Sequence, residues 1–280
     1  MHEAKYWDDI GATWSPAGPH ALWRAHSDAV NTALLSRWLP GTRVPRALKT
    51  DLFDEIAGEG LLELVTAHAA EVVGCDIASD VAHRARDRYP ALRAVPADVR
   101  HLPFAAGAFD VVVSLSTLDH FASLGELKVA LREVARVTRP GGQLFLTLDN
   151  PGNPAVALRN ALPFQLLRRG GLVPYYVGAT CGHARLRSIL ESAGFQVQEM
   201  GAVLHCPRVL AVAIGRLLER WAPTRVRGSY LRLLARYERL AAWRTRFRTG
   251  HFIAVRAVRA PAAAPAGHLA GGDGRAAQPA

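Results

Sequence analysis

Short runs of apolar and β-branched residues alternate along this chain with segments in which apolar residues recur every three or four positions. The short runs predict strands and the periodic segments predict helices. In the first half, strands are predicted at 47–53, 70–77, 92–97, 109–114 and 143–148, with helices at 61–70, 81–89 and 124–137. This alternation predicts an α/β fold in which a mostly parallel sheet is covered by helices on both faces.

The turn after the first predicted strand carries acids and glycines. Asp54 and Glu55 end the strand, Gly58 and Gly60 follow, and a helix begins at Leu61. Glycine lets the backbone pass close to a ligand, and this order opens many nucleotide-binding units. The phosphate-binding pattern G-x-G-x-x-G is missing, and a carboxylate here would repel a pyrophosphate. The turn therefore predicts a cationic or hydrogen-bond-donating ligand, such as an amino acid.

Two further acids follow the next strands. Asp76 ends the second strand, 22 residues after Asp54, and Asp98 comes directly after the third strand. An acid at the end of the second strand is placed to accept both hydroxyls of a ribose. Found in order on successive strands, the three acids predict one ligand site at one edge of the sheet.

Three segments resemble motifs of class I S-adenosylmethionine-dependent methyltransferases of the small-molecule, ubiquinone-biosynthesis-like type. They read AEVVGCDIAS, PADVRHLPFAAGAFDVVVS and LREVARVTRPGGQLFLTL. The resemblance implies a Rossmann-like, seven-stranded, mostly parallel sheet with helical cap insertions, in which 251–258 is an antiparallel last strand. One residue departs from the pattern, because Ile56 stands where the family usually has a glycine.

The same resemblance implies S-adenosylmethionine as the cofactor and a role for each site residue. Asp54 would contact the methionine amino group, while Gly58 and Gly60 would line the methionine and ribose. Asp76 would hold the ribose. Around the adenine, Ile77 would pack on the ring, Asp98 would accept from the amino group, and the backbone of Val99 would lie beside it.

The segment SLSTLDHF, residues 114–121, follows the fourth strand and holds the catalytic candidates. In the resembling family it borders the methionine and the transferred methyl group, which places Ser114 at the cofactor. Asp119 and His120 are adjacent, so on a helix their side chains point about 100° apart and one of them can face the site. His120 is a candidate general base, since an unperturbed imidazole titrates near ~6.5. Alternatively the pair only caps and packs a helix, and methyl transfer relies on alignment of the reactants.

The segment 207–248 combines eleven arginines with regularly spaced apolar residues and contains only two acids, Glu219 and Glu238. It predicts two basic amphipathic helices broken at Ala222 and Pro223. One interpretation is a pair of helices packed on the core with a solvated basic face. Another is contact with an anionic membrane surface or a lipid-like substrate. No aromatic–basic recognition motif is present, which argues against a nucleic-acid partner.

Composition narrows the class of protein further. The chain has 280 residues, half of them hydrophobic, and a net charge of +10 that comes almost entirely from arginine. Three isolated cysteines, Cys75, Cys181 and Cys206, have neither disulfide nor zinc spacing, so the sequence predicts no metal site and a reducing cytoplasmic location. Glu3, Asp8 and Asp9 interrupt any signal-like apolar run, and no stretch is apolar enough to predict a transmembrane helix.

The predicted organisation has an N-terminal helical cap at 1–40 and a methyltransferase domain at 41–260. Cap insertions are predicted at about 151–182 and 207–248, and 261–280 is predicted to be a disordered tail. The predicted function is methyl transfer from S-adenosylmethionine to a small molecule, such as a lipid-like compound or a secondary metabolite. Two alternatives remain at this point: a nicotinamide-dependent oxidoreductase, and a non-catalytic cofactor-binding protein that docks on membranes.

Overall fold

The computed structural model describes residues 3–14, 20–170, 173 and 175–261, and it is built on one sheet of seven strands. The strands are β1 (Val44–Lys49), β2 (Ala69–Asp76), β3 (Arg93–Pro96), β4 (Phe109–Leu115), β5 (Thr138–Asp149), β6 (Phe195–Val203) and β7 (Phe252–Arg259). Their order across the sheet is β3-β2-β1-β4-β5-β7-β6. Strands β1 to β5 pair in parallel, and β7 runs antiparallel to both β5 and β6. The predicted α/β, Rossmann-like fold with an antiparallel last strand is confirmed.

Helices cover both faces of the sheet. They are α1 (Glu3–Ala12), α2 (Ala21–Trp38), α3 (Phe53–Ala57), α4 (Leu62–His68), α5 (Ser79–Arg88), α6 (Leu124–Val137), α7 (Pro154–Ala161), α8 (Phe164–Arg169), α9 (His183–Ser192), α10 (Arg208–Trp221), α11 (Thr224–Arg236) and α12 (Arg246–Thr249), with 3-10 turns at Leu118–His120 and Tyr237–Ala242. One core layer holds apolar residues of α2, α4 and α5, including Trp38 and Val65. The other holds residues of α6 and α9, including Leu131 and Leu190. Strand β4 lies between these layers and is buried at every position, as its continuous apolar sequence predicts.

The first strand is earlier and shorter than its predicted range of 47–53. It ends at Lys49, and helix α3 occupies Phe53–Ala57, so Asp54 and Glu55 lie in a helix rather than at a strand end. Asp51 accounts for the difference, because its Oδ1 accepts a hydrogen bond from the Phe53 N–H at 2.8 Å and turns the chain there. The alternation of apolar and polar residues continues through this turn, which is why the pattern predicted a longer strand.

Two other segments differ in detail from the predicted organisation. The fifth strand, predicted at 143–148, begins earlier: residues 139–142 belong to β5 and bulge between the Phe109–Thr138 and Val111–Gln143 pairs. The insertion predicted at about 151–182 contains two helices, α7 and α8. They separate at Leu162 because a residue before proline is extended, and Pro163 follows it.

The basic segment forms helices α10 and α11, with the predicted break at Ala222 and Pro223. Both helices pack against α2 on one side of the domain. Among the described residues, no helix is long and apolar enough to cross a membrane. The predicted disordered tail falls, apart from Pro261 at its 261–280 boundary, on residues outside the described ones.

Candidate active site

The carboxyl ends of β1, β2, β4 and β5 open into one cavity of about 1050 Å³. Helices α1 and α2, the insertion with α7 and α8, and the start of α10 enclose it. Its volume is at the upper end of the range for small-molecule sites, which leaves room for two ligands side by side. The predicted acids Asp54, Asp76 and Asp98 therefore line a single cavity.

Four aspartates line one end of this cavity: Asp28, Asp51, Asp54 and Asp76. Asp76 caps the turns that follow β1 and β2, since Oδ2 accepts from the Leu52 N–H at 3.0 Å and Oδ1 from the Ala78 N–H at 2.9 Å. Asp28 reaches this end from α2, far from the other three in sequence. We call these four residues the acidic end.

The acidic end crowds four carboxyl groups together, with Arg24 and Lys49 as the neighbouring cations. Burial and mutual repulsion raise the pKa values of Asp28, Asp51 and Asp54 to about 7, and burial raises that of Asp76 to about 6. In addition, Oδ2 of Asp28 is buried and has no hydrogen-bond partner in the described part of the chain. An unsatisfied buried carboxylate oxygen among like charges favours a ligand that brings a cationic donor, such as an ammonium group. This end of the cavity therefore suits a ligand that carries a cationic group.

A buried ion pair supports the acidic end from behind. Lys49 Nζ lies 2.7 Å from Glu55 Oε2, and both side chains are almost completely buried. Glu55 Oε1 in turn accepts from the Leu61 N–H at 3.0 Å. A Cβ on Gly60, whose φ is +66°, would lie 2.7 Å from Glu55 Oε1, and one on Gly58 would lie 2.9 Å from Asp28 Oδ2.

The two glycines of the predicted turn therefore make room for protein side chains. Neither Gly58 nor Gly60 is among the described residues that line the cavity. Helix α3 takes the place of the loop that was expected to bring them to the ligand.

Asp98, Val99 and Ile77 line the cavity beside the acidic end, as the sequence predicts. Asp98 is held by Arg100, whose Nε lies 3.0 Å from Oδ1 and 2.9 Å from Oδ2. Burial opposes ionisation here, but the hydrogen bonds from Arg100 outweigh it and hold the pKa of Asp98 below its usual value. Arg100 also contacts Glu3 and Glu126, so it ties helix α1 to the rim of the cavity.

His120 lines the cavity among aromatic rings. The Trp7 ring is 4.6 Å away and the Tyr175 ring 5.5 Å away, centroid to centroid. Nδ1 is 2.9 Å from the carbonyl oxygen of Tyr176, and a carbonyl can only accept, so Nδ1 must carry the proton. Nε2 of the neutral ring is then a free base, 3.8 Å from Asp119 Oδ1.

Asp119 and Ser114 lie behind the cavity wall and do not line it. Oδ2 of Asp119 accepts from Ser116 Oγ and from the Asp149 N–H, each at 3.3 Å, while its Oδ1 is buried without a hydrogen-bond partner among the described residues. Ser114 is buried in β4, where its Oγ accepts from Thr50 Oγ1 at 2.8 Å. Of the predicted catalytic pair, only His120 faces the cavity, and Asp119 is placed to act through it.

Another part of the cavity lining is apolar and basic. Its lining between residues 153 and 216 includes Arg159, Arg168, Arg208 and Arg216 and no acid. Leu158, Leu162, Val209 and Val212 lie among these arginines. We call this the basic end.

Sequence reasoning missed two residues of the acidic end, Asp28 and Asp51. Asp51 carries a usable signal, since it is the first acid after the buried run of β1. Asp28 carries none, because its place at the site depends on how α2 packs against residues 54–60.

Comparisons with known proteins agree with this geometry. A family model described as a methyltransferase domain matches residues 57–146. Demethylmenaquinone methyltransferase of Thermus thermophilus is 33% identical over 52% of this chain and 74% of its own length. A probable S-adenosylmethionine-dependent methyltransferase of Mycobacterium tuberculosis is 28% identical over 59% of this chain and 56% of its own length, so the chain spans about half of that relative.

A solved structure shows the same fold over most of the chain. It is an S-adenosylmethionine-dependent methyltransferase from Mesorhizobium loti, with a TM-score of 0.55 at 19% identity, and the match covers 84% of this chain and 100% of that one. Taken with the 33% identity to the Thermus relative, these matches show the family. The chain belongs to the class I S-adenosylmethionine-dependent methyltransferases.

Proposed function

We propose that this chain transfers the methyl group of S-adenosylmethionine to a small-molecule acceptor. The observation that carries the proposal is a single cavity with an acidic end suited to a cationic cofactor and a separate end for the acceptor. The bound cofactor supplies an electrophilic methyl group on a sulfonium. The protein then has to align the two ligands, exclude water and accept a proton where the acceptor loses one.

The candidate site residues have the following roles in this proposal. Asp28, Asp51 and Asp54 hold the ammonium group, and Asp76 accepts from the ribose hydroxyls, while Ile77, Asp98 and Val99 surround the adenine. His120 Nε2 takes the proton of the acceptor, and the Asp119 carboxylate, 3.8 Å away, stabilises the imidazolium that forms. The helices of 1–40 and the insertions 151–182 and 207–248 form the cap over the methyltransferase domain at 41–260.

Two measurements test the proposal. Calorimetry should show that S-adenosylhomocysteine binds at micromolar level, and mass spectrometry of cell extract incubated with the protein and methyl-labelled cofactor should reveal a labelled small molecule. A nicotinamide oxidoreductase would instead bind NADH tightly and ignore S-adenosylhomocysteine. The acidic end argues against that alternative, because it would repel a pyrophosphate. A non-catalytic binding protein would bind S-adenosylhomocysteine without labelling anything.

Replacing Asp76 with alanine should weaken S-adenosylhomocysteine binding by roughly 1.5–3 kcal/mol, the range for hydrogen bonds to a charged group. Asp76→Asn should lose less, because it keeps one acceptor oxygen. Calorimetry measures both variants, and circular dichroism checks that they fold. Equal affinity in all three folded proteins would mean that Asp76 only caps the turns at Leu52 and Ala78.

Binding of S-adenosylhomocysteine should strengthen as the pH rises from 6 to 8. The acidic-end carboxyls with pKa values near 7 must lose their protons to receive an ammonium group, and one such group changes the affinity about tenfold over this window. Because these pKa values are raised in the folded state, the same groups make the ligand-free protein less stable as pH rises from about 4 to 7. Asp28→Asn should reduce the pH dependence, and substitution of the exposed Asp87 by asparagine should leave it unchanged. A flat profile for the parent protein would contradict the assignment.

We also propose that the outer face of α10 contacts an anionic membrane surface, from the cytoplasmic side that the unpaired cysteines indicate. Leu210, Ile214, Leu217 and Trp221 form an exposed apolar stripe at helical spacing, and Trp221 is 72% exposed. Arginines of α10 and α11 flank the stripe, which is the pattern of an interfacial helix. Each basic residue near an anionic leaflet contributes about 1 kcal/mol, screened by salt.

Co-sedimentation with phosphatidylglycerol vesicles at low and high salt tests this contact. We expect binding that weakens steeply with salt and is lost on Leu217→Glu. The matched control is Val129→Glu, an exposed apolar position on α6 outside this stripe. If the protein stays in solution with these vesicles at low salt, the stripe is not a membrane contact.

A further inference from the structure

The charged side chains of the cavity lining form two groups, apart from Arg24, which lies near Asp28 and Asp54. The acidic end carries four aspartates, and the basic end carries four arginines without an acid among the described lining residues from 153 to 216. The first group is explained by the cofactor. The arginines of the basic end face the space that the proposed function leaves for the acceptor. Their charge therefore indicates which chemical groups the acceptor carries.

Three of these arginines form no direct ion pair in the described part of the chain, although the Asp149 carboxylate lies near Arg208 and Tyr175 hydrogen-bonds it. Arg159 is paired with Asp149, but no carboxylate forms an ion pair with Arg168, Arg208 or Arg216 in the described part of the chain. Arg168 and Arg216 are exposed and Arg208 is half-buried, so their guanidinium groups are accessible to a ligand in the cavity. The planar fork of arginine matches carboxylate and phosphate oxygens.

Arg208 is the best placed of the three. It is half-buried at the start of α10, its guanidinium packs 5.3 Å above the Trp23 ring, and its Nη1 donates to His251 Nε2 at 2.9 Å. Because Nε2 accepts this bond, His251 is neutral. Burial and the nearby arginines also hold its pKa well below the usual value. Arg208 therefore keeps its full positive charge in a fixed orientation.

Apolar side chains lie around the arginines of the basic end. Leu158 and Leu162 come from the α7 insertion and Val209 and Val212 from α10, so both walls contribute. Leu158 is 64% exposed and Val209 is 61% exposed, which places them at the open side. A ligand with a charged group at Arg208 would carry its apolar part along this surface to the opening.

We infer that the methyl acceptor is an amphipathic anion, with a carboxylate or phosphate group held by Arg208 and Arg216 and an apolar part between α7 and α10. The inference rests on the proposed function and adds the substrate class to it. Carboxylate and phosphate share the chemistry that arginine recognises, so the two are separated by experiment.

The test uses octanoate, octyl phosphate and octanol as probes for this chain saturated with S-adenosylhomocysteine. Trp7, Trp14 and Trp23 line the cavity, so binding is followed by quenching of tryptophan fluorescence. We expect at least one of the anions to bind about tenfold or more tightly than octanol, as for a charge-assisted hydrogen bond. The tighter of the two anions identifies the preferred group.

Arg208→Gln and Arg216→Gln should each reduce this preference, and the exposed Arg225→Gln on α11, outside the cavity, should not. Arg216 is exposed on α10, so its variant remains informative if Arg208→Gln fails to fold. The inference is wrong if octanol binds as tightly as both anions. It is also wrong if the preference for an anion over octanol is unchanged in Arg216→Gln and in a folded Arg208→Gln. Calorimetry with S-adenosylhomocysteine on the same proteins distinguishes failure of this inference from failure of the proposed function. If the parent protein does not bind S-adenosylhomocysteine, the proposed function itself is refuted.

Discussion

Replacing His120 with alanine is expected to lower the turnover of methyl transfer by about 10² or more, the usual contribution of a positioned general base. Nε2 of this residue is the free base on the cavity wall, because Nδ1 is committed to the Tyr176 carbonyl. The cofactor contacts lie at the acidic end, so S-adenosylhomocysteine affinity should stay the same. The measurement is a steady-state rate with labelled cofactor between pH 6 and 9, together with calorimetry.

The control for this variant is His101→Ala, which changes an exposed histidine outside the cavity lining. A general base also predicts that the parent protein loses activity toward low pH while the variant's residual activity follows pH less steeply. If the parent and His120→Ala have equal activity across this range, the reaction depends on alignment of the reactants alone.

Replacing Lys49 with methionine is expected to lower the free energy of unfolding by about 3–5 kcal/mol. The substitution leaves the Glu55 carboxylate buried without its ion-pair partner, at a position where Oε1 is already fixed by the Leu61 N–H. It also removes the positive charge that lies closest behind Asp51. Urea unfolding of the ligand-free protein measures the change.

A second variant and a control distinguish the effect of losing the ion pair on stability from the effect of a general loss of packing. Lys49→Met with Glu55→Gln removes both charges and should recover much of the stability, since no buried charge remains unpaired. Arg37→Met breaks the exposed Arg37–Glu199 pair and should cost less than about 1 kcal/mol. If Lys49→Met alone has the same free energy of unfolding as the Arg37→Met control, the buried pair does not stabilise the turn after β1.

The sequence predicts the sheet and most of its helices because long segments repeat one strong period. The predicted range of helix α6, 124–137, agrees with the structure at both ends. A capping box formed by Ser123 and Glu126 fixes the start of the helix, and apolar residues recur on one face to Val137. The same holds for the ligand side, where Asp54, Asp76, Ile77, Asp98 and Val99 all reach the cavity. Asp76 and Ile77 lie at the end of β2, and Asp98 and Val99 come just after β3, so their position along the chain determines their position in space. Asp54 reaches the cavity from α3 instead.

The turn after β1 was predicted less well, for a physical reason. Its conformation depends on the contact between Lys49 and Glu55 and on the side chain of Asp51, and none of these is visible in a pattern of apolar and polar residues. Gly58 and Gly60 have the spacing of ligand-contacting glycines, but their backbone makes room for Asp28 and Glu55. Asp28 was not predicted as a site residue for a similar reason, since a residue of α2 reaches the site only through tertiary packing.

The sheet pairing of β6 and β7 has a consequence for how this family member could be altered. The two strands are neighbours in the sheet, yet the chain between Val203 and His251 forms a long segment that contains α10, α11 and α12. Val203 pairs with Phe252, and the His251 N–H lies 2.9 Å from the Val203 carbonyl, so the two ends of the segment already meet. Antiparallel neighbours need only a short turn to connect them.

The segment is therefore a replaceable module, inserted where a hairpin turn would suffice. Exchanging it for that of a relative, or for a turn of a few residues, leaves every strand pair of the sheet and all four aspartates of the acidic end in the chain. Such an exchange would change which acceptors enter while keeping the cofactor residues. Acceptor choice and cofactor binding can accordingly diverge through separate stretches of sequence.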